Sequence, residues 1–408
     1  TEGVVCVVMG PFYAVGSSKV SSVFLLGVLF KTSSPQRFPL EGIGQISYMN
    51  EFTTQSWQPE VIEPATPAGE SRLLALRSSG SIREEWDTLD NQLAELVVTR
   101  NPKLKGQPAA IAAAIEALLP EGGRSAYGVW VHYPWRGHLV RLLPESAFIE
   151  VRTNRNNNRI MPIERDLLST KSVGVVGLSV GQSFAISVAM ERGAGCIKIA
   201  DFDTLELSNL NRIRTGVHQL GQPKWLITAR EIAEIDPFLR VEVYPEGVTE
   251  ENIDAFLDGL DLICDACDDL ATKASLRLNA RARKLPVIMD TSDRGMLDVE
   301  RYDQPEKIAP GYLHGRIDDA SMGMFLQCTG WTTEALHAFV DLDNVSERGR
   351  ASIPLLGQEL LAWPQVYTEV ASGGAFAAQA ARRILLDQFM PDVRLYINLD
   401  EQFAESFS

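Results

Sequence analysis

Apolar and polar positions along the chain fall into two textures. The first runs to about residue 150. Ser56 to Gly80 is rich in Pro, Glu, Ser and Gly and predicts a loop. Trp86, Leu89, Leu93, Leu96 and Val97 then recur at helical spacing behind acidic residues, which predicts a helix. Pro108 to Leu119 predicts a second, Ala-rich helix ended by Gly122-Gly123. Tyr127 to Tyr133 and Leu139 to Leu143 read as two short strands joined at Pro134-Trp135-Arg136-Gly137. From Ser172 the pattern changes to strands alternating with helices. Predicted strands are Ser172 to Leu178, Cys196 to Asp201, Val241 to Tyr244, Leu260 to Asp265 and Pro286 to Asp290. Between them fall helices at Gln182 to Arg192, Gln222 to Ile235, Thr249 to Gly259 and Ala271 to Lys284. A long Ala-rich helix at Tyr367 to Gln388 and a strand at Arg394 to Leu399 close the chain. Continuous β-branched strands at this spacing imply an α/β fold, a mostly parallel sheet flanked by helices on both faces. The expected organisation is an uncertain segment 1–55, a small α+β domain 56–150 and an α/β domain 151–408.

Composition narrows the function. Of 408 residues 45% are hydrophobic and 22% charged, which excludes a wholly disordered chain. Lys plus Arg number 38 against 53 Asp plus Glu, a net charge of −15, so neither a nucleic-acid backbone nor an anionic membrane is expected as the main partner. A local basic pocket for phosphate stays open. The five cysteines (Cys6, Cys196, Cys264, Cys267, Cys328) are few and unpatterned, which favours a reducing cytoplasmic setting over a disulfide framework. Cys264 and Cys267 form one CxxC without a second, so no four-cysteine zinc site is expected. The apolar runs Val4 to Met9 and Val23 to Phe30 fall short of the ~20 residues of a membrane span, and with Lys19 between them match a signal peptide poorly.

Candidate chemistry begins at GLSVGQS, Gly177 to Ser183, directly after the first β-branched strand. A small-residue turn between strand and helix lets backbone amides and the helix dipole meet a phosphate. Of the GxGxxG positions (Gly177, Ser179, Gln182) only the first is glycine. The same letters spell G-x-S-x-G, a hydrolase elbow with Ser179 as nucleophile, but His218, His314 and His337 lie in no matching context. Asp201 ends the next strand, where a dinucleotide fold bonds a ribose, and an NAD- or FAD-dependent oxidoreductase is compatible with that much. It leaves the following SNLNR, Ser208 to Arg212, without a purpose.

Asp201, Asp203, Ser208, Asn209, Leu210 and Arg212 follow the pattern DxDxVxxSNLxRQ, and here the chain resembles the ThiF/MoeB/HesA family of E1-like adenylyltransferases. GQPK, Gly221 to Lys224, looks like the family's lysine-bearing element. DACDD, Asp265 to Asp269, is similar to its D-x-[TC]-D-N, and RTNRN, Arg152 to Asn156, to its RYxRQ. The resemblance is good over about 150–303 and loose beyond. Closest in texture are molybdopterin-biosynthesis-like members in which a nitroreductase-like domain follows. The resemblance implies a Rossmann-like E1 fold and an ATP- and Mg²⁺-dependent adenylyltransferase that converts a carboxylate into an acyl-adenylate. The implied donor is the C-terminus of a small carrier protein or peptide.

It also implies residue roles. Arg212 and Lys224 would supply cations, Asn209 a neutral donor, Asp268 a ligand for Mg²⁺ and Asp201 a ribose contact. Gly177, Ser179 and Asp203 would line the nucleotide, and Arg155 would reach the neighbouring subunit of a homodimer. Such an arrangement suits adenylation, where charge builds on the α-phosphate and the departing pyrophosphate. Asp268 has a plainer reading as the N-cap of the helix that follows. Departures from the pattern are Ser179 and Val180 for glycines, Ile213 for Gln, Asp269 for Asn (adding charge beside Asp268) and the absence of two zinc-binding CxxC pairs. They leave a second reading, a catalytically silent nucleotide-binding or scaffold subunit. Residues 308–357 would shape the groove for the donor tail, and Trp57 to Leu143 would form a docking unit.

Overall fold

A computed structural model describes residues 56–328 and 330–405. Cys6 and the runs Val4 to Met9 and Val23 to Phe30 lie outside the described residues.

The first texture builds a four-stranded sheet from β1 (Glu60–Ile62), β2 (Glu84–Asp87), β3 (Val129–Tyr133) and β4 (His138–Leu142), in the order β1-β3-β4-β2. Two sequence expectations change here. The stretch Ser56 to Gly80 is not all loop: it holds β1 and a helix, Pro67–Ser78, whose start is fixed by the Thr66 hydroxyl accepting from the Gly69 amide with Pro67 in the first turn. Trp86 belongs to β2, not to the helix, which runs Leu89–Arg100 and buries Leu89, Leu93, Leu96 and Val97. Strand β2 reads EEWD with every residue exposed, so no apolar alternation announces it. A further helix, Glu145–Arg152, leads out of the unit.

The second texture builds a seven-stranded sheet from β5 (Ser172–Val176), β6 (Cys196–Ala200), β7 (Arg240–Tyr244), β8 (Leu262–Asp265), β9 (Val287–Thr291), β10 (Met296–Glu300) and β11 (Val393–Tyr396). Its order is β11-β10-β9-β8-β5-β6-β7. The five strands β9-β8-β5-β6-β7 are parallel, and β10 and β11 add on antiparallel. Strand β10 follows β9 after a single turn, Asp293–Gly295, and has no counterpart among the strands predicted from the sequence. The chain winds from β5 outward to β7, then returns to the other side of β5 with β8. That reversal opens a crevice beyond the carboxyl ends of β5, β6 and β8, where open α/β sheets take ligands.

Both faces are covered. Gly181–Glu191, Lys224–Ile235 and Tyr367–Leu385 pack on one face against Val173, Val175, Ile197, Leu262 and Ile288. Leu270–Arg283 and the segment around Tyr302 to Phe339 cover the other, against Val176, Ile263, Val287 and Met289. No helix of the described residues is long and apolar enough to cross a membrane.

Beneath the second face runs a chain of buried ions. Arg277, fully enclosed, donates to Asp265 (2.6 Å) and Glu300 (2.7 Å), and Lys273 reaches both Asp265 oxygens at 3.1 Å. Further along, His314 is clamped between Asp298 (3.0 Å) and Asp392, pinning the 309–317 loop to β10 and to the chain entering β11. Arg394 also bonds Asp298. The small sheet is fastened to the end of the Lys224–Ile235 helix: Trp135 and Arg136 bond Glu234 at 2.6 and 2.9 Å, and Phe148 meets Phe238 edge-on at 5.2 Å.

Candidate nucleotide site

The crevice beyond β5, β6 and β8 gathers most of the residues named from the sequence. Gly177 leaves β5 at φ +86, and a Cβ there would lie 2.5 Å from the Ala266 carbonyl oxygen and 2.8 Å from Cys267 Cα. Only glycine lets the β5 turn lie against the β8 turn in this way. The helix Gly181–Glu191 that follows has no side-chain cap, which leaves its amide end facing the crevice.

Asp201 is buried at the end of β6 and ties two loops together. Its Oδ2 accepts from the Leu178 amide (2.6 Å) and its Oδ1 from the Asp203 amide (2.7 Å). Burial pushes this carboxyl above its ordinary value, opposed chiefly by Lys224. Asp203 then receives the Lys224 ammonium at 2.8 Å, and Lys224 is itself buried at the first turn of its helix. A lysine is unfavourable at a helix N-terminus, so its neighbouring carboxylate is what holds it there.

The SNLNR segment forms a short 3₁₀ turn, Leu207–Asn211, over the crevice. Asn209 is buried and accepts from the Glu206 amide at 3.0 Å, which closes the turn and leaves its NH₂ group without a hydrogen bond among the described residues. Arg212 follows and donates from Nε to Ser179 Oγ at 3.0 Å. Ser179, standing where the family pattern has glycine, is thus the tether of Arg212. Its partner is an arginine and no histidine, which leaves the hydrolase elbow without a base. Ile213, where the pattern has Gln, joins Leu205 and Ile227 in a small apolar cluster that seats this loop on the Lys224–Ile235 helix.

Asp268 lies at the floor. Its surface is open to solvent, yet its carboxyl is pushed up by desolvation from the surrounding walls, against the pull of Lys273, Lys224 and Arg212 in that order, with Asp203 adding to the rise. Arg212 in turn is pulled down by burial and pushed back chiefly by Asp268. Ser179, Asp203, Arg212, Lys224 and Asp268 therefore share one electrostatic neighbourhood. The N-cap reading of Asp268 is corrected: Asp269 is the cap, accepting from Thr272 N and Oγ1, both at 2.8 Å. Asp269, the acid that stands where the pattern has Asn, directs its carboxylate to the helix amide and to the Thr272 hydroxyl. Cys267 is half-buried and its thiol is pushed well up by burial, so it stays protonated.

Arg155 stands apart. It is exposed in the 3₁₀ turn Asn154–Asn156, whose Asn156 bonds the Glu191 carbonyl at the far end of the Gly181–Glu191 helix. Within one chain it does not reach the crevice.

A magnesium ion fits in one way. Among the described residues no three metal-ligating side chains gather. Asp268 offers a carboxylate without a hydrogen bond among the described residues, and magnesium is commonly held by one or two carboxylates together with phosphate oxygens and water. Two neighbours of the site gave no sequence signal: Lys273, one turn into a helix, and Trp331, from the poorly patterned 308–357 segment.

Residues 153–296 match the ThiF family. The stretch spans the whole crevice from the turn before β5 to the start of β10. "Uncharacterized protein MT1398" of Mycobacterium tuberculosis is 41% identical over 276 residues, 66% of this chain and 38% of that one. A tRNA threonylcarbamoyladenosine dehydratase of Bacillus subtilis is 30% identical over 151 residues, 36% of this chain and 59% of its own length. A sulfur carrier protein adenylyltransferase of Thermus thermophilus is 30% identical over 116 residues, 28% of this chain and 43% of that one. The chain thus spans about two fifths to three fifths of the length of these relatives.

Proposed function

We propose that the crevice binds ATP with Mg²⁺ and adenylates a carboxylate. The observation that carries this reading is the convergence of Arg212, Lys224 and Asp268 beside an uncapped helix N-terminus at the sheet's reversal point. Attack of a carboxylate oxygen on the α-phosphorus forms the acyl–phosphate bond and breaks the bond to pyrophosphate, which leaves with its electron pair. Negative charge grows on the α-phosphate oxygens and on pyrophosphate, and fixed cations in a partly desolvated cleft stabilise it best. Lys224 exchanges Asp203 for a phosphate oxygen, and Arg212 exchanges Ser179. Asn209 offers its free NH₂ to the same anion. Magnesium, held at Asp268, would supply further neutralisation of the phosphates. Asp201 keeps a lone pair on each oxygen for the ribose while holding the turn at Gly177.

The acyl donor in this reading is the C-terminus of a small carrier protein or peptide, and the sulfur carrier relative supports it by name. Another relative is a dehydratase named for a tRNA nucleoside, so the resemblance supports the activation step more than any one substrate. Arg155, remote from its own crevice and exposed, suits a homodimer in which it serves the partner's nucleotide. The small unit 56–150 is read as a separate docking domain, and the reducing cytoplasm as the setting.

A silent subunit is the second reading, favoured by Ser179 holding Arg212 where glycine would leave the turn open. Exchange of labelled pyrophosphate into ATP, in the presence of cell extract as donor source, separates the two. Adenylation predicts exchange that disappears in Arg212→Ala and Asp268→Ala while the fold is retained. Absence of exchange with intact ATP binding supports the silent subunit.

A further inference from the structure

The turn that carries Asp268 is gripped from below and from the side. From below, Lys273 and Arg277 hold the Asp265 carboxylate at 2.6 to 3.1 Å. Both cations also lie over the Phe339 ring, Arg277 Cζ at 4.7 Å and Lys273 Nζ at 5.9 Å from its centroid. Phe339 comes from the 308–357 segment and is almost wholly enclosed. Trp331 of the same segment stands edge-on to Phe339 at 5.8 Å and 88°. Its indole Nε1 donates to the Asp268 backbone carbonyl at 3.1 Å. The two ends of the Asp265–Asp268 turn are therefore held by one segment, at Asp265 through a cation–π contact and at Asp268 through a hydrogen bond.

We propose that Trp331 is a positioning residue: its indole N–H fixes the Asp268 peptide group and so sets where the carboxylate points, coupling the 308–357 segment to the nucleotide site. This rests on the ATP reading of the crevice. The Asp268 carboxylate makes no hydrogen bond of its own among the described residues, so no side-chain partner fixes it among Lys273, Lys224 and Arg212 and the setting of its backbone carries more of its placement. A carbonyl tied to the indole cannot turn freely about the adjoining dihedrals. Displacement of the segment by a donor tail would pull on the same bond.

Trp331→Phe keeps the ring against Phe339 and removes only the donor. The full chain is labelled with 5-fluorotryptophan, and the ¹⁹F resonance of Trp331 is assigned by its loss in the variant. ATP with Mg²⁺ is expected to move that resonance, and ATP with EDTA to move it less. In Trp331→Phe, the Mg²⁺ concentration giving half-maximal ATP binding is expected to rise about three- to tenfold, the size of one neutral hydrogen bond, with Mg²⁺-free ATP affinity unchanged. A Trp331 resonance that stays still while ATP demonstrably binds overturns the proposal, as does an unaltered Mg²⁺ requirement or an equal loss of Mg²⁺-free affinity. A wild-type chain that binds no ATP overturns the nucleotide reading itself, and this proposal with it.

Discussion

His314 ties the 309–317 loop to the large sheet through two carboxylates. Its imidazole sits between Asp298 and Asp392 and is raised from 6.5 to about 9: burial alone would lower it, and the two carboxylate bonds more than reverse that. A proton is therefore held more tightly folded than unfolded. The stabilisation is complete below pH about 6.5 and is lost as pH rises through about 9. At about 1.4 kcal/mol per pH unit this amounts to about 3 kcal/mol, a sizeable part of the roughly 5–15 kcal/mol by which a domain is stable. His314→Asn is the appropriate perturbation, because position 314 has φ +63 and Asn accepts that conformation without carrying the charge. Urea unfolding of both proteins between pH 6 and pH 10 provides the assay. Wild type is expected to exceed the variant by about 3 kcal/mol near pH 6, and the gap should close toward pH 10. A gap that stays constant across this range would refute the clamp as a charged one.

Four further substitutions probe the site and the buried ions beneath it. Gly177→Ala forces a left-handed residue, about 1–2 kcal/mol, and overlaps the backbone at Ala266, for a further 1–3 kcal/mol or so; thermal unfolding should show the sum and ATP binding should weaken with it. Asp269→Ala should cost about 1 kcal/mol through the lost cap and spare ATP binding. Asp268→Ala should do the reverse, leaving stability equal or higher because a desolvated carboxylate is removed, and equilibrium unfolding beside nucleotide titration distinguishes the two neighbours. Arg277→Ala leaves Asp265 with Lys273 alone and takes from buried Glu300 its ion-pair partner, and should cost about 3–5 kcal/mol, read as a large drop in the urea midpoint.

Much of the large sheet was legible because its parallel strands are buried on both faces and read as short, mostly apolar runs with Val or Ile at their centres. SVGVVGL and CIKIAD are examples. What stayed hidden has physical reasons. Strand β2 is a fully exposed, acidic edge, held by pairing to β4 and not by any apolar face of its own. Strand β10 is rich in charge because its Asp298 and Glu300 belong to the buried ionic chain, so it carries no simple alternation. In the site, the motif residues 179 to 268 could be named because each has a place in a known pattern. Trp331 and Lys273 could not, since their relation to Asp268 exists only once the 308–357 segment has folded across the sheet. Asp268 and Asp269 show the limit of reading adjacent letters. Only the geometry says which one caps the helix.

Calorimetric titration of the full chain with ATP and Mg²⁺, set beside Lys224→Ala, Arg212→Ala and a parallel NAD titration, tests most directly whether these residues make one nucleotide site. The account predicts saturable ATP binding near one molecule per chain, weakened at least about tenfold by either substitution, as loss of a charge-assisted bond to phosphate requires, and no comparable NAD binding. ATP binding indifferent to both substitutions, or NAD bound in its place, would contradict it.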